Sequence, residues 1–502
     1  MLNRLRLIFH MQKGRTENYL ILLLISFFVL CVFSTSSFLY NINPWSDANI
    51  FFTIGRGILH GKKLYIDLFD HKGPLLYLIY VFAAIISETS FVGVLVIEVI
   101  SFSFFLLLTQ KLLSIYKEGK YYFSLLFISI LICTSNAFNY GGGSAEEFIL
   151  PFFTLSLYLS LKTIHCGKSF SNKTCWLIGI CMFSVFFIKF NLCGFYIGLA
   201  IALLFYQYHI DKKRCMSCVL QVLCAFIILS AIACIIMLYC GIFQAFIDVY
   251  FGFNLFSYTV SKSRIIILLW AFSKALAWFV KNNLISMTAV LSGGLFFLIT
   301  IKKKYERLLL IVTLVCWYAL TMIGGRSIYY YIFPIFMYYF TFVLMLNKCK
   351  KKTIVKVSCA ATCIISICLC QNTYRIGEND TVQNDLTSIM NEYSDSPSLL
   401  VFHGYDEGFY LKNNYIPSCK YFTNINAKVN DFEDITMQCI TNNKYDFLIS
   451  MSNDLKNPPI LDIDGYTLLA IERSKYLYDG KVKEYYLYIS DYLMENNSYE
   501  KQ

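Results

Sequence analysis

Charge is scarce in this chain: Asp, Glu, Lys and Arg together supply 15% of its 502 residues, against 57% hydrophobic and 18% aromatic. With a mean hydropathy of +0.56, this excludes a soluble protein and describes an integral membrane protein. Also missing is the Gly-Lys-Ser/Thr that would make the Gly141-Gly142-Gly143 triplet a phosphate-binding loop. No internal duplication of the kind common in transporters is visible. The first apolar run is too long, and lacks the small-residue pattern, for a removable signal peptide. Cysteine is plentiful, yet seventeen of nineteen lie at or before Cys370, in or between apolar segments, where the thiol behaves as a small hydrophobe. Only Cys419 and Cys439 are placed to pair, which requires their domain to face an oxidising compartment.

Crossing roughly 30 Å of hydrocarbon takes about 20 apolar residues. Eleven such spans are expected, near 18–40, 91–110, 121–137, 147–162, 174–189, 191–208, 216–240, 282–301, 308–324, 327–346 and 354–371. Basic clusters such as Lys212-Lys213-Arg214, Lys302-Lys303-Lys304 and Lys350-Lys351-Lys352 then share one face with the basic N-terminus, provided that 73–87 and 264–281 do not span. The positive-inside rule makes that face cytoplasmic. The net charge of +11 therefore marks a membrane face, with no nucleic-acid partner implied. Segment 73–87 is short and begins at Gly73-Pro74, while 264–281 is interrupted by Lys274 and carries Trp270 and Trp278; both are expected as interfacial helices.

The expected architecture is an α-helical polytopic membrane domain, residues 1–371, with about eleven transmembrane helices plus interfacial ones. A small extracytoplasmic α/β domain, 372–502, follows. Its composition turns polar, short apolar runs (SLLVFHG, YDFLISM, YTLLAIE, EYYLYIS) alternate with helix-like stretches at 380–393 and 429–443, and its size of roughly 130 residues allows an independent core. His403, Asp406 and Glu407 in FHGYDEGFY are a weaker candidate site, since a loop after a strand often holds such residues without catalysis. Covering the cavity or selecting the acceptor is the expected role of this domain.

Functional interest concentrates on the outer face. The loop after the first span carries Asp47, Arg56, Lys62, Lys63, Asp67, Asp70, His71 and Lys72, a density of charge that is costly beside a bilayer and tends to be kept for chemistry. A second outer loop places Glu146 and Glu147 after the glycine triplet, where the simpler role is to complement a helix dipole. Lys189 and Arg326 stand at further outer turns, the latter before Tyr329-Tyr330-Tyr331. Either cation could hold a phosphate or merely snorkel to headgroups. Glu98, inside the second span, could serve as a structural partner for a cation in the bundle.

The stretch SDAN…GRGILHGKKLYIDLFDHKGPLLY, the helix start SAEEF, the Lys-Phe-Asn turn and GGR…YYYIFP together resemble the GT-C superfamily of membrane glycosyltransferases. The likeness is to the bacterial family 39-like branch related to protein O-mannosyltransferases and lipid A aminoarabinose transferases, and it covers about residues 1–370. It implies an enzyme that moves a sugar from a polyprenyl-phosphate donor to a cell-envelope glycan, lipid or protein at the extracytoplasmic side of the cell membrane. It also implies catalytic roles for Asp47 and for Glu146 or Glu147.

The chemistry is consistent with that. A phosphate leaves an anomeric carbon readily if cations offset its charge, for which Arg56, His71, Lys72, Lys189 and Arg326 are candidates, with Asp70 and Tyr330 as further substrate-binding groups. An acceptor hydroxyl needs a carboxylate base, worth about 10²–10⁴ in rate, and Asp47 is expected in that role with inversion at the sugar. Metal dependence is left open by the sequence: Asp47, Asp70 and Glu146 or Glu147 could hold Mg²⁺ or Mn²⁺, but no spacing enforces it. The alternatives are a polyprenyl-linked sugar flippase or other transporter, and a polysaccharide polymerase or ligase.

Overall fold

The computed structural model describes residues 2–258, 265–323, 326–379, 381–427, 429–443, 445–452, 462–474 and 482–500. Within them, seven helices are long and apolar enough to cross a membrane: Val92–Tyr116, Ala145–His165, Phe190–Ile210, Lys212–Tyr239, Lys304–Met322, Tyr329–Lys348 and Lys352–Leu369. Each coincides with one of the eleven expected runs. The other four fall on further apolar helices, three of them Leu2–Phe33, Tyr122–Cys133 and Asn172–Ile188. The fourth, Leu284–Thr300, meets Phe272–Asn282 at a bend of 111°. Local chemistry ends two of these helices early: the chain leaves Tyr122–Cys133 for the 3₁₀ turn Asn136–Gly141, and Asn283 stands at the bend between Phe272–Asn282 and Leu284–Thr300.

The chain divides into two compact units, one of Met1–Ser37, Leu95–Ile236 and Thr259–Tyr374, the other of Phe38–Val94, Met237–Tyr258 and Arg375–Gln502. The C-terminal residues expected as a separate domain thus share a unit with the first charged loop.

The first unit is helical and is packed closely through glycine. At Gly194 and Gly198, on the helix Gly194–Ile210, an added Cβ would meet the carbonyls of Cys316 and Val312 on Lys304–Met322. This is the small-residue spacing that lets membrane helices approach backbone to backbone. Lys212–Tyr239 and Lys352–Leu369, by contrast, have few buried residues along their apolar length, a pattern that would suit helices facing hydrocarbon.

In the second unit, helices Ser46–Leu59 and Pro74–Ile86 pack through Phe51, Phe52 and Tyr80. The loop between them, 60–73, lies under the π-helical segment Ile247–Ser257. The C-terminal part folds as a four-stranded sheet, β1 (Leu399–Val401), β2 (Phe447–Ser452), β3 (Tyr466–Arg473) and β4 (Glu484–Ser490), in the order β1-β2-β4-β3. β1 and β2 are parallel, the other pairs antiparallel. The central strands are apolar and buried along nearly their whole length, which a sheet covered on both faces requires. Helices Val382–Asn391 and Phe432–Asn443 match the expected helical stretches, and Cys419 and Cys439 are disulfide-bonded.

Adjacent glycines on Leu284–Thr300 give a controlled test of the packing. A Cβ on Gly293 would strike the backbone of Phe342, whereas one on Gly294 meets nothing within 4 Å. Gly293→Ala should lower the thermal unfolding midpoint in detergent, at a cost of about 1–3 kcal/mol. Gly294→Ala should be neutral or stabilising by up to about 1 kcal/mol from helix propensity. Equal effects would contradict the packing described.

Candidate functional site

Each unit gathers a polar cluster of its own. In the second unit the cluster grows from the strained loop 60–73. Tyr65 adopts φ +68, a left-handed conformation that is costly for a bulky side chain. It is held there by its N–H donating to the Leu68 carbonyl at 2.9 Å and its hydroxyl donating to the Lys72 carbonyl at 2.7 Å. From the facing helix, the Tyr77 hydroxyl donates to Asp70 Oδ2 at 2.7 Å and accepts from the Lys72 N–H at 3.1 Å. Two buried tyrosines thus fix three consecutive charged or ionisable residues, all of them largely buried.

Asp70, His71 and Lys72 form a chain. His71 Nδ1 lies 3.1 Å from Asp70 Oδ1, without the alignment of a full hydrogen bond. His71 Nε2 lies 3.3 Å from the Lys72 ammonium, which is 4.0 Å from Asp70 and 5.5 Å from the centre of the Phe51 ring. Burial pushes the Asp70 carboxyl up, but Lys72, His71 and the Tyr77 hydroxyl outweigh it, so that the group is held well below the usual carboxylate range. Burial and Lys72 push the His71 imidazole down, against Asp70 and Asp47. At neutral pH it is therefore an uncharged ring that accepts from Lys72. The π-helical segment completes the setting: Asn254 Nδ2 donates to the His71 carbonyl at 2.7 Å, and Tyr258 and Phe253 lie 4.5 and 5.6 Å from the imidazole, centre to centre.

Asp47 sits in the first turn of Ser46–Leu59, half-buried and close enough to His71 to act on it electrostatically. Arg56, on the same helix, is elsewhere engaged. Its guanidinium, 1% exposed, donates to Asn414 Oδ1 at 2.7 Å and to the carbonyls of Tyr410 and Tyr415 at 3.4 Å. Thr53 Oγ1 donates to Asp406 Oδ2 at 2.7 Å. This helix face therefore anchors to the segment after β1.

The same segment explains FHGYDEGFY. Asp406 also accepts from the Gly408 N–H at 3.0 Å, Glu407 pairs with Lys483 and accepts from the Tyr485 hydroxyl at 2.5 Å, and His403 lies 3.5 Å from Glu433. Asp406 and Glu407 thus join parts of one unit. Burial drives the Asp406 carboxyl up to about 6, against its bonds to Thr53 and Gly408 and the nearby Arg56.

In the first unit, Glu146 and Lys189 form a buried ion pair at 2.5 Å. The ammonium lies over the Tyr331 ring at 4.0 Å and near Tyr330 at 5.4 Å, a cation–π cage that offsets part of its desolvation. Three expected residues, Glu146, Lys189 and Tyr330, are thus brought together. Glu147 turns away: its N–H is capped by Ser144 Oγ at 3.0 Å, and its Oε2 accepts from the Gly143 N–H at 2.9 Å. Arg326 is half-buried shortly before the buried 3₁₀ segment Tyr329–Tyr338, and Gly324-Gly325 lie outside the described residues. Asp47 and the Glu146-Glu147 pair belong to different units. Among the described residues no group of three or more His, Cys, Asp or Glu side chains is placed to hold a metal.

The contribution of 247–258 is not among the site residues expected from sequence. Its signal was the aromatic run VYFGFNLF, which has no helical polar stripe. Comparison with protein-family models gives no match to this chain, and comparison with curated proteins gives none either.

The Asp406 carboxyl yields a signed prediction. Its pKa rises on folding, from 3.8 to about 6, so the folded unit binds this proton more tightly than the unfolded chain. The associated stability is present in full below about pH 4 and lost as pH rises through about 6. The stability advantage of the native chain over Asp406→Asn should therefore shrink between pH 4 and 7.5, by on the order of 3 kcal/mol, measured by thermal unfolding in detergent. A difference independent of pH would contradict this.

Proposed function

We propose that this chain is a membrane glycosyltransferase that moves a sugar from a polyprenyl-phosphate donor to a cell-envelope acceptor on the extracytoplasmic face. The observation that carries the reading is the placement, in one compact unit, of a half-buried carboxylate, Asp47, beside the buried chain Asp70, His71 and Lys72. A base and a fixed cation are the two groups that sugar transfer from a phosphate leaving group needs.

In the proposed reaction Asp47 takes the proton from the acceptor hydroxyl as its oxygen bonds to the anomeric carbon. The bond from that carbon to the donor phosphate oxygen breaks on the opposite face, and polyprenyl phosphate leaves. Lys72 supplies the point charge for the leaving phosphate, and His71 and Asp70 hold the ammonium in place. Because His71 is neutral, it adds a positioning contact and no second charge. One displacement inverts the anomeric centre. Glu146, paired with Lys189, serves as an anchor, while Arg56 contributes through the packing of the helix that carries Asp47. The strain stored at Tyr65 supports a functional role for the loop, since such conformations persist where the surroundings over-determine them.

The proposed topology has about eleven spans, a cytoplasmic N-terminus and an extracytoplasmic C-terminal part. The seven long apolar helices and the Cys419–Cys439 disulfide, which calls for an oxidising compartment, support it.

Sugar transfer from a radiolabelled polyprenyl-phosphate sugar, followed in membranes, tests the activity. Asp47→Asn should lower transfer by about 10²–10⁴-fold with normal protein abundance and intact translocation of the lipid-linked sugar. Lys72→Met should lower it as well, at unchanged abundance. Undiminished transfer in Asp47→Asn would refute the assignment, and loss of translocation would identify a flippase.

A further inference from the structure

Apart from the cluster around Asp47, the first unit holds a buried pair of acids that the proposed reaction does not use. Glu98, on Val92–Tyr116, is 0% exposed, and Glu147, on Ala145–His165, is 2% exposed. Their carboxyl groups lie against each other. One oxygen of each is met by a donor. Glu147 Oε2 accepts from the Gly143 N–H, and Glu98 Oε2 lies 2.9 Å from Ser34 Oγ. The single Ser34 proton is shared, because the Gly141 carbonyl is 2.7 Å from the same hydroxyl. The remaining oxygens, Oε1 of Glu98 and Oε1 of Glu147, are buried and make no hydrogen bond of regular geometry. Ser36 Oγ, also buried and without another partner, faces Glu98.

The backbone is shaped around these oxygens. Gly142 sits at φ +97, and a Cβ there would collide with Glu98 Oε1. The Gly141 carbonyl accepts from the Thr35 N–H at 2.9 Å, which ties the glycine turn to the Ser34–Ser36 segment. The triplet thus leaves room at the point where the two acids meet.

Two carboxyl groups facing each other away from water are stable only if a proton or a cation is held between them. The nearby lysine is already committed, since Lys189 pairs with Glu146. All three unmatched atoms are oxygens, the donor set preferred by hard divalent cations over thiolate- or imidazole-seeking metals. A divalent ion also cancels both charges, which matters most at low dielectric.

We propose that Glu98, Glu147 and Ser36 bind a hard divalent cation of the magnesium, manganese or calcium class. The ion would lock the Gly141–Gly143 turn against Ser34–Ser36 and so fix the start of the helix that carries Glu146. The site is independent of the transferase reading.

Manganese serves as the probe. The full-length protein, purified in detergent and stripped with chelator, is titrated with Mn²⁺ while free ion is followed by electron paramagnetic resonance and stability by thermal unfolding. The expected result is saturable binding of one Mn²⁺ per chain with a rise in unfolding midpoint, competed by Mg²⁺ or Ca²⁺. Glu98→Gln should abolish both effects, and Asp47→Asn should retain them whatever it does to sugar transfer. Ser36→Ala, a mild change that keeps both acids, should weaken binding about 10-fold and guards against a Glu98 variant that fails to fold. Absence of Mn²⁺ binding by the native chain, or binding unchanged in both Glu98→Gln and Ser36→Ala, overturns the proposal. In the first case, a pH-dependent midpoint that Glu98→Gln flattens would identify a shared proton in place of the ion.

Discussion

Burial of charge is the constraint that organises this molecule. A charged side chain away from water is tolerated only with a partner, and the structure meets that demand repeatedly: Glu146 with Lys189, Glu407 with Lys483, Arg56 with Asn414 and two carbonyls. Glu306 follows the same rule at the base of the helical unit, where it is fully buried and accepts from Tyr116 at 2.8 Å with His165 Nδ1 at 2.9 Å. These pairs knit the fold, and their charges are largely spent. The groups proposed above to act on another molecule lie outside these pairs. Asp47, half-buried at a helix start, is one. The facing oxygens of Glu98 and Glu147 are the other.

The charged loop owes its rigidity to the same logic at smaller scale. Tyr65 and Tyr77 satisfy the backbone of Lys72 and the carboxylate of Asp70, so the ammonium is held without the side-chain freedom that a lysine ordinarily loses on binding. The π-helical segment adds Asn254 and two rings against His71. Such helices carry one residue per turn more than the α form requires and often mark functional positions. Preorganisation of this kind suits stabilisation of a leaving phosphate, because no reorganisation is needed as charge develops.

Much of the helical framework was legible in the sequence because hydrocarbon imposes a length, and apolar runs of that length are conspicuous. Seven expected runs match long helices; two others were shortened by features no hydropathy window reports, the 3₁₀ turn after Cys133 and the bend at Asn283. The four strands and the Cys419–Cys439 pair were legible from composition and exclusion. The division of labour among site residues was not. Glu146 and Glu147 are adjacent in sequence but about 100° apart around a helix, so only packing could send one to Lys189 and the other to Glu98. Arg56 looked like a ligand-binding group, and its commitment to Asn414 depends on contacts more than 350 residues away. Long-range partners of this sort leave no local trace.

The proposed topology rests on sidedness: it puts the loop bearing Asp47 and Lys72 outside the cell membrane with the C-terminal sheet, and the lysine-rich turns inside. Lys63 and Lys412 are exposed in one unit, and Lys302, Lys303 and Lys304 in the other. Intact cells treated with a membrane-impermeant amine reagent, followed by peptide mass spectrometry, read this directly. The account predicts modification of Lys63 and Lys412 with Lys302, Lys303 and Lys304 spared until the membrane is opened. Protection of Lys63 in intact cells, or labelling of the triple lysine there, would contradict it.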